Sequence, residues 1–121
     1  MKKLNLLLLS FCFTLCSLNT HAQWVSIPDT NFGKWLNTNG YSQCLQGNGT
    51  IGWQMDTTCP AVVSNINVNC SSKNLHDLTG IQYFDNLQGL NCYFNQLTFL
   101  PDLPYRLRFL DCHGNQLSTL P

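Results

Sequence analysis

The stretch Leu87-Gln-Gly-Leu90-Asn-Cys92-Tyr-Phe-Asn95-Gln-Leu97-Thr-Phe-Leu100-Pro101 decides how the chain is read, because it recurs twenty residues later. The copy is Leu107-Arg-Phe-Leu110-Asp-Cys112-His-Gly-Asn115-Gln-Leu117-Ser-Thr-Leu120-Pro121, and eight positions are identical. A weaker copy lies 22 residues upstream, where Val68, Cys70, Leu75, Leu78 and Ile81 align with Leu90, Cys92, Leu97, Leu100 and Leu103. In that copy Lys73 stands at the Asn95 position and Asn65 at the Leu87 position. Self-similarity at a short fixed period marks stacked units, none of which buries its apolar face alone. The pairs Val68/Cys70, Leu90/Cys92 and Leu110/Cys112 alternate with period two, as a short strand with one buried face does.

The consensus L-x-x-L-x-C-x-x-N-x-L resembles the leucine-rich repeat family, with Cys at the third apolar position, over about half the chain. The resemblance implies an α/β solenoid with short parallel strands, an extended convex side and a small helical N-terminal cap. It places about three repeats in 66–121, the last of them incomplete. It also implies that Asn95 and Asn115 turn inward onto backbone groups of neighbouring coils, satisfying polar atoms otherwise buried unpaired. Leu100-Pro-Asp-Leu-Pro104 fixes φ at two residues and removes two donors, which predicts an extended return and not a helix.

Residues 23–65 break the pattern. Phe32, Trp35 and Leu36 fall on one helical face, with Asp29 placed to cap the helix and Gly40 to stop it. The Ile27-Pro28-Asp29-Thr-Asn-Phe32 opening resembles the helical cap that precedes repeats in internalin-like bacterial surface proteins. A second short helix is predicted near Thr58, with Pro60 in its first turn, and Gln46–Thr50 reads as a loop. Trp24, Trp35 and Trp53 read as cap core, carbohydrate stacking on an exposed Trp being the alternative.

Residues 1–22 read as a secretory signal: Lys2 and Lys3, an apolar run from Leu6 to Leu18, then Thr20-His21-Ala22 before a cut. Thirteen residues fall short of the roughly 20 that span a bilayer, so no membrane span is expected in the mature chain. Cys12 and Cys16 follow Phe11 and Leu15, not the small residue that lipid attachment requires. The expected product, 23–121, is exported, to be secreted or held at the cell surface. The whole chain holds six Lys+Arg against six acids, all Asp, and that balance excludes the basic footprint of a nucleic-acid binder. Without Glu there is also little material for acid–base chemistry, and no enzymatic constellation is present.

Five cysteines remain after the leader. Cys44 and Cys59 lie in the cap segment of an exported chain, which predicts a disulfide. Cys70, Cys92 and Cys112 take the inward position of three successive strands and read as buried free thiols. A row of single Cys does not converge tetrahedrally, so no metal site and no cofactor are expected. Asn37-Thr-Asn-Gly40 lacks the Glu of a calcium loop and reads as a helix-ending turn. His76 reads as a turn residue.

The outward positions between the buried ones are Asn67, Asn69 and Ser71, then Gly89, Asn91 and Tyr93, then Phe109, Asp111 and His113. Polar groups around a few aromatics suit protein or glycan recognition. The candidate ligand-binding residues are therefore Asn67, Asn69, Ser71, Asn91, Tyr93, Phe109, Asp111 and His113. The rival reading is a structural spacer whose face is merely solvated. The sequence stops at Pro121 inside a coil, with Leu110, Cys112, Leu117 and Leu120 uncapped. An apolar terminal edge is poorly soluble, so the expectation is either an incomplete product of a longer gene or self-association through that edge.

Overall fold

The computed structural model describes residues 21–121, so the expected leader falls outside the described residues except for His21 and Ala22. Strand β1 (Trp24–Ile27) ends at Pro28, which has no N–H to continue a ladder. Asp29 then caps α1 (Thr30–Thr38): its Oδ1 accepts from the N–H groups of Asn31 at 2.7 Å and Phe32 at 3.0 Å. The helix buries Phe32, Gly33, Trp35 and Leu36, and Gly40 lies just beyond it at φ 97°. Next come a one-turn 3-10 helix (Ser42–Cys44), β2 (Leu45–Asn48) and β3 (Gly52–Asp56).

These strands form an antiparallel sheet in the order β1-β3-β2, with Ile27 opposite Trp53, and Leu45 and Val25 opposite Met55. Helix α1 lies against β3, and Gly33 is what allows it to. A Cβ there would stand 2.1 Å from the Trp53 ring, so only glycine admits the indole at this depth. The Cys44–Cys59 disulfide closes this unit, and α2 (Pro60–Val63) follows with Cys59 as its N-cap residue. The second sheet is parallel, in the order β4 (Asn67–Asn69), β5 (Gly89–Asn91), β6 (Phe109–Asp111). Val68, Leu90 and Leu110 stand in one row.

The expected α/β solenoid with a small helical cap is therefore corrected. The described residues build two three-stranded sheets, one antiparallel and one parallel, with few helices, and an antiparallel sheet has no place in the expected fold. The physical cause lies in residues 24–56. Gln46-Gly47-Asn48 is strand and not loop, because Gly47 at φ 91° lets the chain pass tightly over the Gly52 carbonyl; a Cβ at residue 47 would meet that oxygen at 2.0 Å. Asn48 Oδ1 then accepts from Thr50 and Ile51 N–H, closing a hairpin. Trp24 is also corrected: it sits on the edge strand at 41% exposure, while Trp35 is buried and Trp53 is half-buried, its Nε1 without a partner among the described residues.

One apolar core runs through both sheets. Phe32, Trp35, Tyr41 and Phe84 form a chain of ring contacts that links α1 to the segment between β4 and β5. Gly80, at φ 118°, leaves the space that Ile27 fills. The polar part of the seam is Asp29 again, whose second oxygen accepts from His76 N–H at 2.6 Å and Asp77 N–H at 3.1 Å. One carboxylate thus serves four backbone donors, two in the helix and two in the loop facing it.

The three free cysteines divide. Cys70 and Cys92 are fully buried, whereas Cys112, expected to be buried, is half-exposed on the edge strand row. Burial, with Cys92 close by, pushes the Cys70 thiol up to about 12; burial, with Cys112 and Asp111 close by, does the same for Cys92. Iodoacetamide at pH 8 is expected to label Cys112 alone in the native chain, and all three only in denaturant. Rapid native labelling of Cys70 or Cys92 would contradict this packing. The folded state keeps these two protons while the unfolded chain releases them near pH 9, so stability is expected to fall as pH climbs from 9 toward about 12.

Candidate binding face

The parallel sheet fixes the face by alternation. Val68, Cys70, Leu90 and Cys92 point into the core, which sends residues 67, 69 and 71, and their partners in β5 and β6, to the other side. Register brings the candidates into rows: Asn67–Gly89–Phe109 and Asn69–Asn91–Asp111. A third row, Ser71–Tyr93–His113, follows from the backbone bonds Ser72 N–H to Tyr93 O at 3.0 Å and Phe94 N–H to His113 O at 2.9 Å. All eight candidates therefore share one face, with Asn67, Asn69, Phe109 and His113 exposed and Ser71, Asn91, Tyr93 and Asp111 half-exposed. Gly89 leaves room there for Asn67, whose Oδ1 would stand 2.4 Å from a Cβ.

The turn behind these strands is held by Asn95 and Asn115. Asn95 is buried; its Oδ1 accepts from Lys73 and Leu75 N–H, and its Nδ2 donates to Cys70 O and Cys92 O. Asn115 accepts from Leu97 N–H and donates to Cys92 O and Cys112 O. Both amides satisfy backbone groups of adjacent strands, and neither faces the open side.

Aromatic groups gather at one corner. Tyr93 and His113 stack with centroids 5.0 Å apart and an interplanar angle of 9°. Phe94 stands edge-on to both, at 5.5 Å from Tyr93 and 4.8 Å from His113. His113 Nδ1 bonds the Asp111 carboxylate, which fixes the imidazole and holds the carboxyl below the usual range for Asp. Phe94 was not among the residues expected from sequence, although it is 59% exposed. The signal lay in the recurrence itself: the three copies carry Ser72, Phe94 and Gly114 at a position where all three backbones are left-handed.

Among the described residues no group of three or more His, Cys, Asp or Glu is placed to hold a metal, and no helix is long and apolar enough to cross a membrane. What the fold and face define is a small disulfide-bonded chain of two sheets that presents a polar–aromatic surface. No family model, no curated protein and no solved structure matches this chain.

Proposed function

We propose that the chain is an exported binding module, secreted or held at the cell surface, that recognises a protein or glycan through the open face of its parallel sheet. The observation that carries this reading is the convergence of Asn67, Asn69, Ser71, Asn91, Tyr93, Phe109, Asp111 and His113 on that one face. Exposed aromatic groups cost solvation in the free protein and supply large contact area at small entropy cost when covered. The disulfide supports an oxidising compartment, and the apolar run of 6–18 supports export. Kinship with leucine-rich repeats is proposed on the twenty-residue recurrence alone.

The test is binding of the purified chain to panels of immobilised proteins and glycans, with Tyr93→Ala and Phe109→Ala as probes. Each substitution is expected to weaken binding by about tenfold, equivalent to about 1.4 kcal/mol. Undiminished binding by both variants rejects this face. A chain that binds nothing in either panel is the structural spacer instead.

A further inference from the structure

The ligand class is legible in Phe94 and its surroundings, on the reading that the sheet face binds. Phe94 holds a left-handed backbone at φ 51°, a conformation that costs a bulky L-residue about 1 kcal/mol or more. Its two equivalents are Ser72 at φ 55° and Gly114 at φ 66°. A glycine at 94 would be free of that cost, and a serine would leave no apolar ring in water. The next row makes room for the ring, since a Cβ on Gly114 would meet it at 2.2 Å. Folding alone therefore disfavours the ring twice over, by backbone and by exposure, yet neighbouring residues are shaped to hold it.

Polar groups in the neighbouring row of the same face are unspent. Asn69 Oδ1 accepts from Ser71 N–H and Oγ–H, and its amide NH2 has no partner among the described residues. The Asn91 side chain makes no hydrogen bond among the described residues, although it is half-buried between Asn69 and Asp111. The face carries no Lys, Arg or aliphatic side chain at positions 67, 69, 71, 72, 89, 91, 93, 94, 109, 111, 113 or 114. Its one carboxylate, Asp111, is occupied by His113. An anionic ligand finds no Lys or Arg at these positions. The three rings of the aromatic corner have centroids within 5.5 Å of one another, a patch of about one sugar ring's width and small beside the roughly 800 Å² that each partner contributes to a standard protein interface.

We infer that the face binds a neutral carbohydrate chain, with the C–H side of one sugar ring against Phe94 and hydroxyls of a neighbouring sugar bonded by the amides of Asn91 and Asn69. Aromatic rings accept the weakly polarised C–H groups of a pyranose, and free amides both donate to and accept from hydroxyls. Native electrophoresis through gels containing xylan, galactomannan or mixed-linkage β-glucan, with heparin gels as the anionic control, tests it. At least one neutral polysaccharide is expected to retard the chain. Phe94→Ser, which copies the residue found at the equivalent Ser72, and Asn91→Ala are each expected to weaken retardation by about tenfold while circular dichroism stays unchanged. Retardation by heparin alone, or neutral retardation indifferent to Phe94→Ser, overturns the inference. If no neutral polysaccharide retards the chain but a protein ligand binds it through Tyr93 and Phe109, the carbohydrate assignment fails and the binding-module reading stands. Failure in every arm rejects both.

Discussion

Asn95→Leu is expected to destabilise the folded chain by about 4 kcal/mol, read as the loss of free energy in a urea titration. Leucine matches the side chain in size, so the effect is not one of volume. It strands the N–H groups of Lys73 and Leu75, bonded at 3.0 and 3.1 Å, and the carbonyl of Cys70, bonded at 3.0 Å, while the Cys92 carbonyl keeps its bond from Asn115 Nδ2. Each buried group left unpaired costs about 1–3 kcal/mol, the carbonyls less than the amides because each carbonyl has two lone pairs. Gained apolar burial offsets about 1.5 kcal/mol of that sum. Asn115 provides the internal control. It makes three of the four equivalent bonds one row further on, accepting from Leu97 N–H alone, and is half-exposed, so water replaces them when the side chain is lost. Asn115→Leu is therefore expected to cost only about 1 kcal/mol. Equal losses for the two variants would mean that burial of the amide is not what gives Asn95 its weight.

The contrast between these two residues also shows what a sequence can convey. The recurrence marks Asn95 and Asn115 as equivalent, and three of Asn95's four hydrogen bonds recur at Asn115. Their burial is not, because burial depends on what covers each row. Local signals were equally legible at Asp29, where a Pro-Asp pair before an apolar helical face predicts the cap that is found. What the cap's second oxygen does was hidden, since His76 and Asp77 come from a loop 47 and 48 residues away. The antiparallel sheet was missed for a related reason. Gln46-Gly-Asn-Gly-Thr50 is rich in turn formers, and only the partner strand, with Trp53 and Met55 turned inward, converts part of it into β2. At the candidate site the eight outward residues followed from period two, whereas Phe94 did not. Aligning copies by their shared positions directs attention away from where they differ, and 72, 94 and 114 differ at a place where all three backbones are left-handed and penalise a side chain.

Removal of the Cys44–Cys59 bridge is expected to cost about 3 kcal/mol, through a mechanism opposite to that of Asn95. The cysteines stand 15 residues apart, and the loop they close contains both β2 and β3. Cross-linking a loop of that length removes about 3 kcal/mol of conformational freedom from the unfolded chain. A two-stranded hairpin is marginal by itself, so closing the loop matters most for a sheet whose third strand, β1, arrives from outside it. The Cys44→Ala/Cys59→Ala variant is therefore expected to keep the native circular dichroism, lower the urea midpoint and raise the m-value, because the released chain exposes more surface on unfolding. Asn95→Leu, which acts on the folded state, is expected to lower the midpoint at constant m. A disulfide loss below about 1 kcal/mol, or an unchanged m, would place the stability of the antiparallel sheet in its own packing. Against a total of about 5–15 kcal/mol for a small domain, 3 kcal/mol shifts the folded-to-unfolded ratio by roughly a hundredfold. The same experiment in reducing buffer then bears on compartment: a chain that gives up that margin in glutathione holds its full stability only where the bridge can form.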